Sequence, residues 1–118
     1  MAQHILIVED DNRICIAIEM ALRSAGFRTL TAPKATDAIR LLTNQKFDCI
    51  LLDLHLERGT GEAVLSFIRG SDYGFNYRTP VFVISGTLQA ETLNRIKKQV
   101  SSFFVKPFDI QSLVTQVK

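Results

Sequence analysis

Short apolar runs alternate with segments of helical periodicity along the whole chain. Five runs are apolar throughout or alternate apolar with polar residues, and we predict that they form β-strands. The segments between them repeat apolar residues every three or four positions, which is typical of amphipathic helices. The predicted strands are residues 5–8, 27–32, 47–52, 81–84 and 102–105. The predicted helices are residues 12–25, 34–44, a segment through 64–68, about 90–98, and about 110 to the end.

This regular alternation predicts an α/β fold with a doubly wound, five-stranded parallel sheet. The runs at 5–8 and 81–84 are apolar at every position, and those at 47–52 and 102–105 are interrupted only once, as expected for strands that are covered on both faces by helices. The run at 27–32 alternates instead, which favours a place nearer the edge of the sheet. Gly26 follows the first helix and is a predicted C-cap.

Composition and charge predict one small cytoplasmic domain over residues 1–118. The hydrophobic share is 47% and the charged share 22%, which excludes disordered and fibrous classes. The net charge is only +2, and the densest basic group (Arg95, Lys97, Lys98) is interpreted as a solvated helix face, so we expect no nucleic-acid binding by this domain. Cys15 and Cys49 lie among aliphatic residues and are expected to be buried, reduced thiols. Apolar runs of four residues are far too short to span a membrane, and the first residues lack a signal-peptide pattern.

Residues suited to phosphate or metal chemistry follow four of the five predicted strands. They are Glu9 and Asp10, then Asp53, Ser85 and Lys106. In an open parallel sheet, ligands bind at the carboxyl ends of the strands, and a 2-1-3-4-5 strand order would bring Asp10 and Asp53 together. Neighbouring carboxylates repel one another, and Mg²⁺, which prefers oxygen ligands, relieves that repulsion. The sequence therefore predicts a Mg²⁺ site at this edge.

In this arrangement Asp53 is suited to act as a nucleophile that forms an aspartyl-phosphate. Lys106 would contact a phosphoryl oxygen, Ser85 would offer a hydroxyl, and Gly86 would let main-chain N–H groups approach. Each residue also has an ordinary interpretation: the acidic run at 9–11 is typical of a helix cap, and a lone Asp after a strand is typical of a turn. The joint placement at one edge favours the functional interpretation.

Taken together, the sequence resembles the receiver domain of two-component response regulators over almost its whole length. The resemblance rests on residues 5–11 (Ile-Leu-Ile-Val-Glu-Asp-Asp), 50–54 (Ile-Leu-Leu-Asp-Leu) with Gly61, 83–86 (Val-Ile-Ser-Gly) and 105–108 (Val-Lys-Pro-Phe). It implies a flavodoxin-like fold with strand order 2-1-3-4-5. It also implies transfer of a phosphoryl group to Asp53 from a phosphohistidine of a sensor histidine kinase or a histidine phosphotransfer protein.

The resemblance further implies a role for each site residue. Asp10 is expected to bind Mg²⁺ directly and Glu9 largely through water, while Asp53 and the main-chain carbonyl of His55 complete the protein ligands. On phosphorylation, Ser85 would move towards the phosphoryl oxygens and the ring of Phe103 would move inward. The fourth helix and fifth strand would form the signalling surface, with a homodimer as one possible use.

Some positions depart from the family pattern. Glu57 stands where a proline is usual, and His55 is an uncommon residue two places after the acceptor; its side chain is expected either to alter the phosphoryl lifetime or to point into solvent. Residues 98–102 lack the usual Gly-Ala pair, so dimer geometry is not assumed. The last helix ends early, at Lys118, as it would in a chain excised from a longer protein.

Two other functions stay open from the residues. A phosphohydrolase of the haloacid dehalogenase type also uses an aspartate nucleophile and Mg²⁺, but it places that aspartate after the first strand. A pseudo-receiver would keep the fold only as a protein-interaction module without phosphorylation. The complete set of acids, hydroxyl and lysine favours a phosphorylatable signalling domain over both.

Overall fold

The computed structural model describes residues 3–56, 60–70, 74–87 and 89–118. Its centre is a five-stranded sheet in which every neighbouring pair of strands is parallel. The strand order is β2-β1-β3-β4-β5, as predicted. The strands are β1 (His4–Val8), β2 (Arg28–Ala32), β3 (Cys49–Asp53), β4 (Val81–Ser85) and β5 (Ser102–Val105).

Helices follow each strand along the chain, which confirms the predicted α/β architecture. They are α1 (Asn12–Ser24), α2 (Ala35–Asn44), α3 (Gly61–Gly70), α4 (Ala90–Ile96) and α5 (Ile110–Val117), with a short 3₁₀ helix at Lys97–Gln99. None of the helices among the described residues is both long enough and apolar enough to cross a membrane.

The sheet separates two layers of buried apolar side chains, one on each face. Successive residues of a strand point to opposite faces, so β1 contributes Leu6 and Val8 to one layer and Ile5 and Ile7 to the other. The first layer packs against α2 and α3, and the second packs against α1 and α5. Burial on both faces is the reason why β1, β3 and β4 are apolar nearly throughout. The outer strand β2 contains both buried and more exposed residues and lies at one edge of the sheet, as predicted.

The structure corrects the predicted bounds at several ends. The third strand begins at Cys49 rather than at Phe47, because the main-chain N–H of Phe47 donates to Oδ1 of Asn76 (2.8 Å) instead of joining the sheet. The fourth helix ends at Ile96, and its predicted last turn is a 3₁₀ helix. Gly26 lies one residue beyond the C-cap Ala25, with a φ of 95° that glycine adopts without strain.

Candidate functional site

The acidic run after β1 divides its residues between two tasks. Asp11 is the N-cap of α1, and its Oδ1 accepts hydrogen bonds from the main-chain N–H of Arg13 (3.0 Å) and Ile14 (3.3 Å). Glu9 is buried, and Asp10 is half-buried. The capping interpretation is therefore correct for Asp11.

Asp53 ends β3 next to the end of β1, because Leu52 pairs with Val8 in the parallel register. The residue is only 2% exposed. Carboxylate oxygens of Glu9, Asp10 and Asp53 all lie within 4.8 Å of one another. The predicted meeting of these three acids at the carboxyl edge of the sheet is confirmed.

Lys106, which follows β5, lies between two of these acids. Its Nζ is 2.7 Å from Oε1 of Glu9 and 3.2 Å from Oδ2 of Asp53. The lysine is anchored by its own main-chain N–H, which donates to the carbonyl of Ser85 (2.8 Å), and the following bond to Pro107 is cis. Burial lowers the pKa of Lys106, but the two carboxylates outweigh burial, so the net pKa is raised and the side chain stays charged.

Glu9 has the most perturbed carboxyl group of the site. Burial raises the pKa of Glu9 to about 7, against the opposing influence of Lys106 and of the Asp11 main-chain N–H, which donates to Oε2 (3.1 Å). Although Nζ of Lys106 lies 2.7 Å from Oε1, this buried oxygen receives no hydrogen bond of good geometry among the described residues. This oxygen lies beside the carboxylates of Asp10 and Asp53. Three neighbouring carboxylates form a set of oxygen ligands that fits a hard divalent cation such as Mg²⁺.

The hydroxyl of Ser85 is held by the loop that follows its own strand. Its Oγ donates to the carbonyl of Thr87 (2.8 Å) and accepts from the Thr87 main-chain N–H (3.3 Å). Ser85 itself is fully buried at the end of β4. Gly86 is exposed, and a Cβ added there would meet no atom within 4 Å, so no contact in this state requires glycine. The predicted roles of both residues towards phosphoryl oxygens remain predictions.

His55 connects the loops after β3 and β4. Its main-chain N–H donates to Oδ1 of Asp53 (3.0 Å), which helps to orient that carboxylate. Its exposed ring places Nε2 3.4 Å from the carbonyl oxygen of Thr87, the same oxygen that accepts from Ser85. Sequence reasoning missed this contact, because it depends on the path of two loops. The role of the His55 carbonyl as a metal ligand remains a prediction, and Glu57 lies outside the described residues.

Phe103 lies on β5 opposite Val83 and is partly buried against the layer that packs on α2 and α3. Its predicted inward movement remains a prediction. Val105, two residues later, is 51% exposed on the outer strand. The proposed signalling face therefore offers apolar surface, and its use in a dimer also remains a prediction.

Gly61 shapes the site, although the sequence marked it only as part of a motif. A Cβ at Gly61 would lie 2.2 Å from the carbonyl oxygen of Asp53 and 2.6 Å from Cα of Leu54. Only glycine lets the start of α3 lie this close to the chain that leaves β3. The sequence places Gly61 in a glycine-containing loop before the third helix, where glycine is common, and so gives no distinct signal of this close approach.

Comparison with known proteins agrees with this geometry. The model of the response regulator receiver domain family matches residues 5–118. The transcriptional regulatory protein PrrA of Mycobacterium tuberculosis is 30% identical over 115 residues, which are 97% of this chain and 48% of PrrA. The cell cycle response regulator CtrA of Brucella ovis is 31% identical over 96% of this chain and 47% of its own. The chain thus spans about half the length of the curated relatives it matches.

Solved structures show the same fold. One is the receiver domain of the sensor histidine kinase PA1611 from Pseudomonas aeruginosa, which carries a magnesium ion in its active-site cleft. It is 28% identical to this chain, with a TM-score of 0.87, and the match covers 99% of this chain and 95% of the PA1611 domain. A CheY-like receiver protein from Methanospirillum hungatei has a TM-score of 0.90 at 19% identity, covers 99% and 91% respectively, and supports the fold alone. With its family model matched from β1 to the end of α5, this chain belongs to the response regulator receiver domain family.

Proposed function

We propose that this chain is a phosphorylatable signalling domain in which Asp53 accepts a phosphoryl group from a phosphohistidine in a Mg²⁺-dependent reaction. The observation that carries the proposal is the cluster at the carboxyl edge: three carboxylates within 4.8 Å of one another, with Nζ of Lys106 in contact with two of them. The domain acts on its own side chain and is therefore a switch rather than an enzyme that turns over a separate substrate.

In the transfer step, a carboxylate oxygen of Asp53 donates an electron pair to phosphorus and forms an O–P bond. The N–P bond of the donor breaks, and its electron pair returns to the imidazole nitrogen; a donor ring that carries a proton on its other nitrogen leaves as neutral imidazole. The main-chain N–H of His55 on Oδ1 and Nζ of Lys106 on Oδ2 hold the carboxylate in one orientation. Such positioning removes much of the entropy cost of the reaction.

Glu9, Asp10 and Asp53 are the residues that would hold Mg²⁺. The bound ion would neutralise charge on the phosphoryl group during transfer. Lys106, whose Nζ lies 2.7 Å from Glu9 and 3.2 Å from Asp53, would supply a further positive charge and would contact a phosphoryl oxygen once the aspartate is modified. In the hydrolysis that ends the signal, a water oxygen would bond to phosphorus and the O–P bond to Asp53 would break, which restores the carboxylate and releases inorganic phosphate.

The switch proposed for Ser85 requires a definite change in hydrogen bonding. Its hydroxyl now donates to the Thr87 carbonyl at 2.8 Å. To reach a phosphoryl oxygen on Asp53, Ser85 must give up that bond, and the loop that leads to α4 must change conformation. Phe103, which is only partly buried, would follow into the vacated space and so alter the surface of β5.

The surroundings of the site favour a protein as donor. A cleft of about 540 Å³ lies beside Lys106, between the start of α1 and the start of α5. Ile14, Phe108 and Ile110 contribute apolar surface to it. The outer side of α1 adds Ile16 (47% exposed) and Met20 (65% exposed). Exposed apolar side chains around a charged acceptor are typical of a protein-docking face, in keeping with a sensor histidine kinase or a phosphotransfer protein. We also propose that the domain acts in the cytoplasm.

Incubation with acetyl phosphate and Mg²⁺, followed by intact mass measurement, tests the proposal. We expect one added phosphoryl group on the wild type, none on Asp53→Asn, and none when the metal is removed with EDTA. Asp37→Asn, which removes an acid from α2 away from the site, should still gain the group. Absence of the gain from both acetyl phosphate and a histidine kinase would overturn the proposal and favour a pseudo-receiver.

A further inference from the structure

A second cleft lies at the opposite edge of the sheet, where β4 and β5 begin. It has a volume of about 470 Å³ and lies between the end of α3, the chain that enters β4, and the turn before β5. Three of its lining side chains are basic, and polar groups make up most of the rest. The lining residues are Arg69, Tyr77, Arg78, Lys98, Gln99, Val100 and Ser101.

The three basic groups of this cleft carry positive charge that the described part of the chain does not neutralise. Arg69, Arg78 and Lys98 form no ion pair with any carboxylate among the described residues. By contrast, Arg95 on the neighbouring α4 is paired with Glu62 at 2.9 Å. A concave surface lined by like charges concentrates anions from solution.

Arg69 is the fixed element of the cleft. Its Nε and Nη2 donate to the carbonyl of Gln99 (3.1 and 2.8 Å), and its Nη1 donates to the carbonyl of Tyr77 (2.8 Å). A guanidinium has five N–H groups, so one remains on each terminal nitrogen. Arg69 is half-buried, and desolvation lowers the pKa of its guanidinium.

We propose that this cleft binds a small phosphate-bearing molecule. The guanidinium of Arg69 is already oriented and keeps two N–H groups that can donate to phosphate oxygens, whereas Arg78 and Lys98 supply further positive charge. The volume lies within the range of small-molecule sites, about 300–1,000 Å³. The site is distinct from the acidic edge, because Asp53 lies at the carboxyl ends of the strands and this cleft lies at their amino ends.

Inorganic pyrophosphate is the probe for the test. It is titrated into ¹⁵N-labelled protein at constant ionic strength, with EDTA present to keep metal out of the acidic site. We expect saturable shifts of the Gln99, Val100 and Ser101 amides, and no shift of the Asp53 and His55 amides.

Variants separate the cleft from general charge. Arg78→Gln combined with Lys98→Gln removes two exposed charges without disturbing the hydrogen bonds of Arg69, and should weaken pyrophosphate binding by about tenfold or more. Lys46→Gln removes one exposed charge from the same edge of the sheet and should change the affinity less than twofold.

Three results would overturn the proposal. The first is the absence of saturable shifts at millimolar pyrophosphate, and the second is an equal loss of affinity in Lys46→Gln. The third is a probe of another class that binds this cleft as well or better: citrate would indicate a general carboxylate or anion site, and a short single-stranded oligonucleotide would indicate a nucleic-acid surface.

Discussion

Replacing Gly61 with alanine tests whether the acceptor residue is held by the close approach of α3. The new Cβ would lie 2.2 Å from the carbonyl oxygen of Asp53 and 2.6 Å from Cα of Leu54. Both atoms belong to the main chain, so no side-chain rotation can relieve the contact. The start of α3 or the end of β3 must move instead.

The size of the effect follows from that distance. The Cβ–oxygen separation must grow by about 1.2 Å to reach the 3.4 Å of ordinary contact. The main-chain N–H of Gly61 donates to the carbonyl of Leu54 (3.1 Å), and this hydrogen bond would be stretched by the same shift. Overpacking of this kind costs roughly 1–3 kcal/mol, and a strained hydrogen bond adds about 1 kcal/mol. Alanine's better helix propensity returns at most about 1 kcal/mol, so we expect a net loss of roughly 1–4 kcal/mol.

Urea unfolding followed by circular dichroism measures the loss, with Gly70→Ala as the matched control at the other end of the same helix. A Cβ at Gly70 would meet no atom within 4 Å, so this variant should be as stable as the wild type or slightly more stable. Because the shift at Gly61 also displaces Asp53, Gly61→Ala should accept phosphoryl groups more slowly. An unfolding midpoint for Gly61→Ala equal to that of Gly70→Ala would refute the reasoning.

Three further changes have expected outcomes. Burial raises the pKa of the Cys15 thiol to about 11 and that of the Cys49 thiol to about 12. Both thiols should therefore stay protonated and resist iodoacetamide near neutral pH, yet react quickly once urea has unfolded the protein. Rapid labelling of the native protein would contradict this expectation. Asn76→Ala removes two hydrogen bonds that the side-chain oxygen accepts and two that the side-chain amide nitrogen donates. The change should lower the free energy of unfolding by about 2–4 kcal/mol in urea titrations. A loss below about 1 kcal/mol would mean that water replaces these hydrogen bonds. His55→Ala removes the ring beside the Thr87 carbonyl. The variant should lose its phosphoryl group a few-fold faster than the wild type in a time course followed by intact mass. An unchanged rate with intact phosphorylation would exclude a role for the ring.

The general position of the site could be predicted from the sequence because it depends on topology. Apolar strands end abruptly at polar residues, and parallel strands bring those ends to one edge. The approach of Asp53 to Glu9 needs only the pairing of β3 with β1, which the order 2-1-3-4-5 supplies. No side-chain conformation has to be known to make that prediction.

The contacts that orient the site could not be predicted in this way. The hydrogen bond from Ser85 to the Thr87 carbonyl and the contact of the His55 ring with the same oxygen depend on loop conformation. Periodicity gives no information about loops, because it records only which face of a regular element is buried. Gly61 shows the same limit: glycine at the start of a helix suggests flexibility from sequence, whereas here its lack of a side chain is what matters.

The acidic run after β1 links the acceptor site to the surface where a donor would dock. The main-chain N–H of Asp11 donates to Oε2 of Glu9 (3.1 Å), while the side chain of the same residue caps α1. Asp11 also lines the cleft beside Lys106, together with Ile14 from the first turn of α1. If a phosphoryl donor docks on this cleft as proposed, it would therefore lie against the residue whose side chain caps α1 and whose main chain bonds to Glu9. Under the proposed function, this one residue would join the docking surface to a carboxylate of the site.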